Sequence, residues 1–324
     1  MGKSTYALFL GLLLAGVAAP APAQSAYPAK TVRVIVPYPP GGGNDIVGRA
    51  FADELTKRTG QSFFIDNRPG ASTIIGAELA AKAPPDGYTL MVTSSTTLAI
   101  VPNLKSKVPY DPVRDYAPVS LLAVEPYLIV VHPSLPVRDL KQLIALAKAK
   151  PGQLSFASAS IGSGGHLSAE LFKLMTGTNL QHIPYKGSGP AITDLVGGHV
   201  PIMWSTIVSV HELVVNGRLR AIAVTSAQRT PAARDVPTVA ESGIPGYETT
   251  QWNAMVAPRA TPRNVIVRLN AEVAAAAASP ELRQRLAAQG LNPVSSTPEQ
   301  LGDHIRKENA RYGELIKAIG LKDE

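Results

Sequence analysis

Three features of the sequence predict an α/β protein of two lobes with mainly parallel sheets. Short β-branched or apolar runs alternate with segments of helical periodicity from residue 31 to the end, the signature of βαβ units. The alternation runs once to about residue 93 and starts afresh near residue 127, as two units would. At ~100–200 residues per domain, 324 residues accommodate both, and 45% hydrophobic against 17% charged side chains supply two cores.

The first 23 residues are expected to be a secretory signal: Lys3 gives a positive start, residues 6–19 are apolar or small, and Ala21-Pro22-Ala23 is an A-x-A cleavage site before Gln24. The apolar run is shorter than the ~20 residues a spanning helix needs. Residues 32–36 then predict a strand, followed by a loop to Gly43. Ile46, Val47, Ala50, Phe51 and Leu55 fall at helical spacing, with Asn44 or Asp45 as the expected cap and Gly60 as the stop. A strand at 62–65, a turn at Asn67-Arg68-Pro69-Gly70, a helix at 73–82, a turn at Pro84-Pro85-Asp86-Gly87 and a strand at 89–93 complete the first unit.

The second unit opens with a strand at 127–131 and a helix at 139–150, in which Leu140, Leu143, Ile144 and Ala147 share one face. A strand at 154–157, a loop at 158–165 and a helix at 166–176 follow. Strands are expected at 180–183, 200–204 and 220–224, with a helix at 190–196. After the Pro-rich stretch 231–245 come a strand at 252–257 and helices at 262–278, 280–289 and 298–319. Lobe boundaries follow: 1–23 signal, 24–125 plus 246–324 lobe one, and 126–245 lobe two.

Composition and motifs exclude several chemistries. Without cysteine there are no disulfides, thiolate metal sites, Cys nucleophiles or lipid-modified N-terminal cysteine. The formal charge of +7 drops to +6 without Lys3 and is scattered, with no basic stripe for nucleic acid. There is no P-loop, no G-x-G-x-x-G, no G-x-S-x-G and no EF-hand loop. The six histidines form no H-x-x-x-H pair; His211-Glu212 has Val215 where a second His would complete H-E-x-x-H. Neither metal nor cofactor is expected.

What recurs is a Gly/Ser-rich loop running into a helix: Pro40-Gly41-Gly42-Gly43-Asn44-Asp45 and Ser158-Ala159-Ser160-Ile161-Gly162-Ser163-Gly164-Gly165-His166, with weaker echoes at Gly70-Ala71-Ser72-Thr73 and Lys186-Gly187-Ser188-Gly189. The first four N–H groups of a helix lack partners and carry roughly +0.5 charge, so such a loop can seat an anion. Neither main loop contains Lys or Arg, and main-chain N–H groups and hydroxyls would have to do the binding. The same loops also serve as plain strand-to-helix turns.

Seven stretches carry a family resemblance: residues 35–45, Asp66-Asn67-Arg68-Pro69-Gly70-Ala71, residues 83–90, Ala147-Lys148-Ala149-Lys150-Pro151-Gly152, Gly165-His166-Leu167, Ile183-Pro184-Tyr185-Lys186-Gly187 and residues 235–243. Their order resembles that of the periplasmic substrate-binding proteins of tripartite tricarboxylate transporters, the TctC or Bug receptors. The resemblance implies a Venus-flytrap fold of the periplasmic binding type with a small carboxylate in the interlobe cleft. It implies binding by Tyr38, Pro40, Gly41, Gly42, Gly43, Asn44 and Asp45 from one lobe and by Ser158, Ala159, Ser160, Gly164, Gly165 and His166 from the other. Ser94 to Thr97, with Ser95 among them, would form a further wall, with Trp204 and Ser205 after a lobe-two strand. Trp204-Ser205 stands where the family commonly has Phe-Asp, and Ala159-Ser160 where Ser-Gly is usual.

Other readings stand beside this one. Asp45 suits a cap, His166 a structural post, Trp204 and Trp252 core positions, and Tyr38 either role. The implied protein is a monomeric, non-enzymatic receptor, free in the periplasm, whose partners are a small carboxylate and membrane transporter subunits. An exported enzyme acting on an anionic substrate and a ligand-loaded sensor for a signalling protein are the alternatives.

Overall fold

The computed structural model describes residues 27–321 apart from Gly290 and Asn292; the secretory signal expected at 1–23 lies outside them. Nine strands form one sheet with two arms: eight lie on a continuous path and the ninth, β8, branches from β4. In the first arm β2 (Phe63–Asn67), β1 (Val32–Val36) and β3 (Thr89–Ser94) are parallel, and β9 (Thr250–Pro258) and β4 (Tyr116–Val131) continue the sheet antiparallel. In the second, β4 pairs with β7 (Ile202–Thr206) and β8 (Arg220–Val224), while β5 (Ser155–Ser158) runs parallel to β6 (Gln181–Pro184) and β7. The outer strands are parallel, as βαβ connections require; antiparallel pairing enters wherever β4 or β9 takes part.

The 16-residue β4 belongs to both arms. Tyr116 to Pro126 pair with β9, and Tyr127 to Val131 with β7 and β8. Only its second half was expected from sequence. The first half contains Pro118, and register shifts between Pro118 and Ser120 and between Leu121 and Ala123 destroy the two-residue alternation by which a strand is read. Thr225 ties the crossing together: its Oγ1 accepts from the Tyr127 N–H and donates to the Thr249 carbonyl.

Both arms are covered on both faces. Helices α1 (Gly43–Thr59), α8 (Arg263–Ala278) and α9 (Pro280–Ala287) bury one face of the first sheet around Phe51, Leu55, Leu269 and Val273. Helices α2 (Ile74–Ala81), α3 (Val101–Leu104) and α10 (Pro298–Ala318) cover the other around Met91, Leu98 and Trp252. In the second arm α4 (Leu140–Ala149) and α5 (Gly164–Thr176) pack on one side, α6 (Ser188–Val196) and α7 (Ile207–Val215) on the other.

Local signals account for most boundaries. Gly60 ends α1 with φ 70, and the side chains of Asp139 and Thr297 cap α4 and α10. Several elements were not anticipated, α3 among them. The stretch Thr96–Ile100 is a turn of π-helix leading into α3, and it is buried throughout, so it shows no periodic face. Helix α7 is rich in β-branched residues, whose propensity points to a strand; the tertiary surroundings override it.

Candidate ligand-binding cleft

A cavity of about 580 Å³ opens between the arms, lined from both. The order of elements explains its walls. Strands β1, β2, β5, β6 and β7 deliver the chain to this edge of the sheet, and α1, α2, α5, α6 and α7 carry it away. The N-cap residues of α1 (Gly42), α2 (Thr73), α5 (Ser163), α6 (Gly187) and α7 (Thr206) all line the cavity. Five positive helix ends therefore face one space.

Those ends differ in what remains free. At α5, Ser163 Oγ accepts the His166 N–H. At α7, the Val208 N–H goes to Glu125 Oε2 at 3.2 Å. No side chain caps α1, α2 or α6. Glu125 is buried in the crossing, and that burial raises its carboxyl to about 8 against the opposing pull of the Val208 and Ile207 N–H groups. The cavity lining contains no Asp or Glu and one cationic side chain, Lys186, which is exposed and in no ion pair among the described residues.

The chain before α2 is strained: Ala71, Ser72 and Thr73 have φ of 46, 53 and 83, a conformation costing of order 1–3 kcal/mol per non-glycine residue. Thr97 Oγ1 holds Thr73 Oγ1 at 3.0 Å, and the same network reaches Tyr38, whose hydroxyl lies 2.6 Å from Ser94 Oγ. Burial raises the Tyr38 phenol above its ordinary value, so it stays neutral.

Of the residues expected at the site, Tyr38, Pro40, Gly42, Gly43, Asn44, Ala159, Ser160, Gly164, Gly165, Trp204 and Ser205 line the cavity. Gly41 is exposed beside it, and Asp45, Ser94, Ser95, Ser158 and His166 are buried behind it. Gly41 gives its N–H to Asp45 Oδ2. Asp45 is not the cap of α1, which is Gly42; it sits in the first turn and is 2% exposed. Burial pushes its carboxyl up, but donors from Arg49, Gly41 and Asn67 outweigh this and hold it below the usual range. Ser94 serves Tyr38, and Ser95 Oγ donates to Gln251 Oε1.

Ser158 and His166 shape the second loop from beneath. Ser158 Oγ donates to the Ser160 carbonyl and meets His182 Nε2 at 2.6 Å. His166 Nδ1 accepts the Gly162 N–H while its ring stacks on His182 at 3.7 Å between centroids. Burial, reinforced by His166, lowers His182 to about 3, so it is neutral. Trp204 is 1% exposed, and its indole packs on Phe156 and Phe172 in the core. Ser205 Oγ is buried without a hydrogen-bond partner, at the cavity wall.

Several lining residues were not foreseen: Tyr127, Tyr185, Lys186, Thr206 and Gln251. The Lys186-Gly187-Ser188-Gly189 echo could have disclosed Lys186. Gln251 and Tyr127 come to the cleft through the two crossings, which no local motif signals.

A two-lobed α/β binding protein with its cleft at the strand-to-helix edge is the class this architecture defines, and comparison with known proteins agrees. The R. palustris protein Rpa4515 with adipate matches with a TM-score of 0.89 at 38% identity, over 91% of this chain and 99% of that one. MatC from Rhodopseudomonas palustris with bound malate matches at 0.83 and 31%, over 90% and 100%. Periplasmic binding protein BugD matches at 0.87 and 31%, over 92% and 100%. In sequence, protein BugT of Bordetella pertussis is 40% identical over 309 residues, 95% of this chain and 94% of BugT. Residues 47–321 match the tripartite tricarboxylate transporter family receptor, TctC. The chain belongs to that family.

Proposed function

We propose that this chain is a periplasmic receptor that captures a small organic carboxylate between its lobes and presents it to the membrane subunits of a tripartite tricarboxylate-type transporter, without catalysing a reaction. The observation that carries this reading is the convergence of five helix N-termini on one cavity, three of them uncapped by side chains, with Lys186 at its wall and no carboxylate in the lining. A negative charge there meets oriented N–H groups and one ammonium and no like charge in the lining. Adipate in Rpa4515 and malate in MatC support the carboxylate class.

Closure would pivot on the crossing in β4 near Glu125 and on the chain before β9 near Gly246, with the ligand favouring the closed arrangement. Transfer to a nucleophile has little support: Ser158, the serine in contact with His182, is fully buried behind the cavity wall and already donates to Ser160.

Thermal unfolding against succinate, malate, adipate, citrate and benzoate, with a neutral sugar as control, tests the reading. At 100 times Kd a ligand adds ~2.7 kcal/mol, a rise of a few degrees. A shift with the sugar and none with any acid overturns the carboxylate assignment, and turnover of a bound acid overturns the non-enzymatic one.

A further inference from the structure

Gln251 lies at the second crossing between the arms, 4% exposed, and its side chain bridges them. Its Oε1 accepts from the Tyr127 hydroxyl at 2.5 Å and from Ser95 Oγ at 3.3 Å. Its Nε2 donates to Asn44 Oδ1 at 3.4 Å, and Asn253 Nδ2 donates to the same oxygen. Tyr127 is on the second-arm half of β4, while Asn44 is in the first turn of α1. Tyr127 is itself fixed from the other side, since a Cβ on Gly164, the first residue of α5, would come within 1.8 Å of its hydroxyl oxygen.

The direction of these bonds has a chemical consequence. Burial raises the Tyr127 phenol well above its ordinary value, so it keeps its proton, and in this geometry the hydroxyl gives that proton to Gln251 Oε1. With two hydroxyls donating to Oε1, the amide nitrogen of Gln251 is the end that faces Asn44. Asn44 Oδ1 then accepts from two amides, and the half-buried Asn44 has only its Nδ2 hydrogens left for the cavity it lines.

We infer that Gln251 is a specificity-positioning residue: the chain Tyr127–Gln251–Asn44 locks the Asn44 amide with its N–H groups toward the ligand, so the cleft selects a carboxylate over the corresponding carboxamide. The inference rests on the carboxylate-receptor reading and adds to it the residue that enforces discrimination. A carboxylate offers only acceptors to those N–H groups, whereas a carboxamide turned the wrong way sets donor against donor.

The probes are succinate, glutarate and adipate, each paired with its monoamide and titrated calorimetrically into the full chain and two variants. Gln251→Glu keeps the shape but cannot donate to Asn44 Oδ1, so the Asn44 amide turns over; the preference for acid over monoamide falls about tenfold. Gln251→Met removes the bridge without adding charge; the preference falls about threefold, which separates the turnover from simple repulsion. Melting without ligand checks both folds, and if Gln251→Glu does not fold, Gln251→Met decides. Wild-type preference retained in the folded variants overturns the positioning role and leaves the receptor reading standing. Equal binding of an acid and its monoamide by wild type also overturns this inference, and binding of none of these acids nor of malate, citrate or benzoate overturns the carboxylate reading and this inference with it.

Discussion

The two glycine-rich loops look alike in sequence and do different work. The first, Pro40 to Asp45, leaves the start of α1 uncapped, and a Cβ at Gly42 would meet nothing closer than Ser188 Oγ at 3.5 Å. The second, Ser158 to His166, is stapled by Ser158 and His166 and closed by the Ser163 cap. Its Gly164 and Gly165 are small because Tyr127 and the Trp204 carbonyl press on them, at 1.8 and 2.3 Å from where a Cβ would lie. The first loop leaves Gly41 and Gly42 open at the cleft, although a Cβ on its Gly43 would meet Val208 Cγ1 at 2.9 Å, whereas the second needs Gly164 and Gly165 for packing. A glycine motif alone does not distinguish these uses.

The largest effect that separates the loops is on folding. Gly165→Ala drives a methyl into a backbone carbonyl that cannot move aside, and is expected to cost about 3 kcal/mol in urea unfolding. A cost below about 0.5 kcal/mol would show that the second loop is as free as the first. Gly42→Val should do the reverse: the extended backbone there (φ −83, ψ 165) accepts a side chain, so stability changes by less than about 1 kcal/mol. Carboxylate affinity should fall about tenfold or more as the side chain covers the N–H groups. Unchanged affinity would refute the backbone seat.

The smallest expected effect concerns α7, which has no side-chain cap from Thr206 and whose Val208 N–H goes to Glu125. Its carboxyl ordinarily titrates near 4.5 and is raised to about 8 here by burial. Between those values the folded chain holds a proton that the unfolded chain has released, so this group's contribution to stability declines as pH rises from about 4.5 through 8. In a Glu125→Gln variant the amide oxygen still accepts the Val208 N–H, and the side chain does not titrate. Urea unfolding at about pH 5 and about pH 9 should therefore show a smaller loss for Glu125→Gln than for wild type; equal losses would mean that Glu125 is ionised throughout.

Much of the architecture was legible. The strand–helix alternation, the Gly60 stop, the one-sided apolar face of α10 and the two loop-to-helix junctions are local properties, written within a few residues and read by period or composition. Elements whose form is imposed from outside were not. The first half of β4 is broken by Pro118 and two register shifts, and α7 is helical despite β-branched residues. At the site, the sequence placed Tyr38, Gly42, Asn44 and Ser160 at the cavity but also put Asp45, Ser158 and His166 there, because loop position does not say which side chains turn inward to brace the loop.

By itself, then, the sequence determined the α/β class, the alternation of strands and helices, the absence of any thiol chemistry and the glycine-bearing helix starts, all consequences of side-chain type and spacing along the chain. Tertiary structure alone decided which helix starts remain uncapped, that Lys186 reaches the cleft, that Trp204 turns into the core, and that Tyr127, Gln251 and Asn44 form one line of hydrogen bonds. Those outcomes depend on partners up to 207 positions apart, brought together only when β4 and β9 cross between the arms.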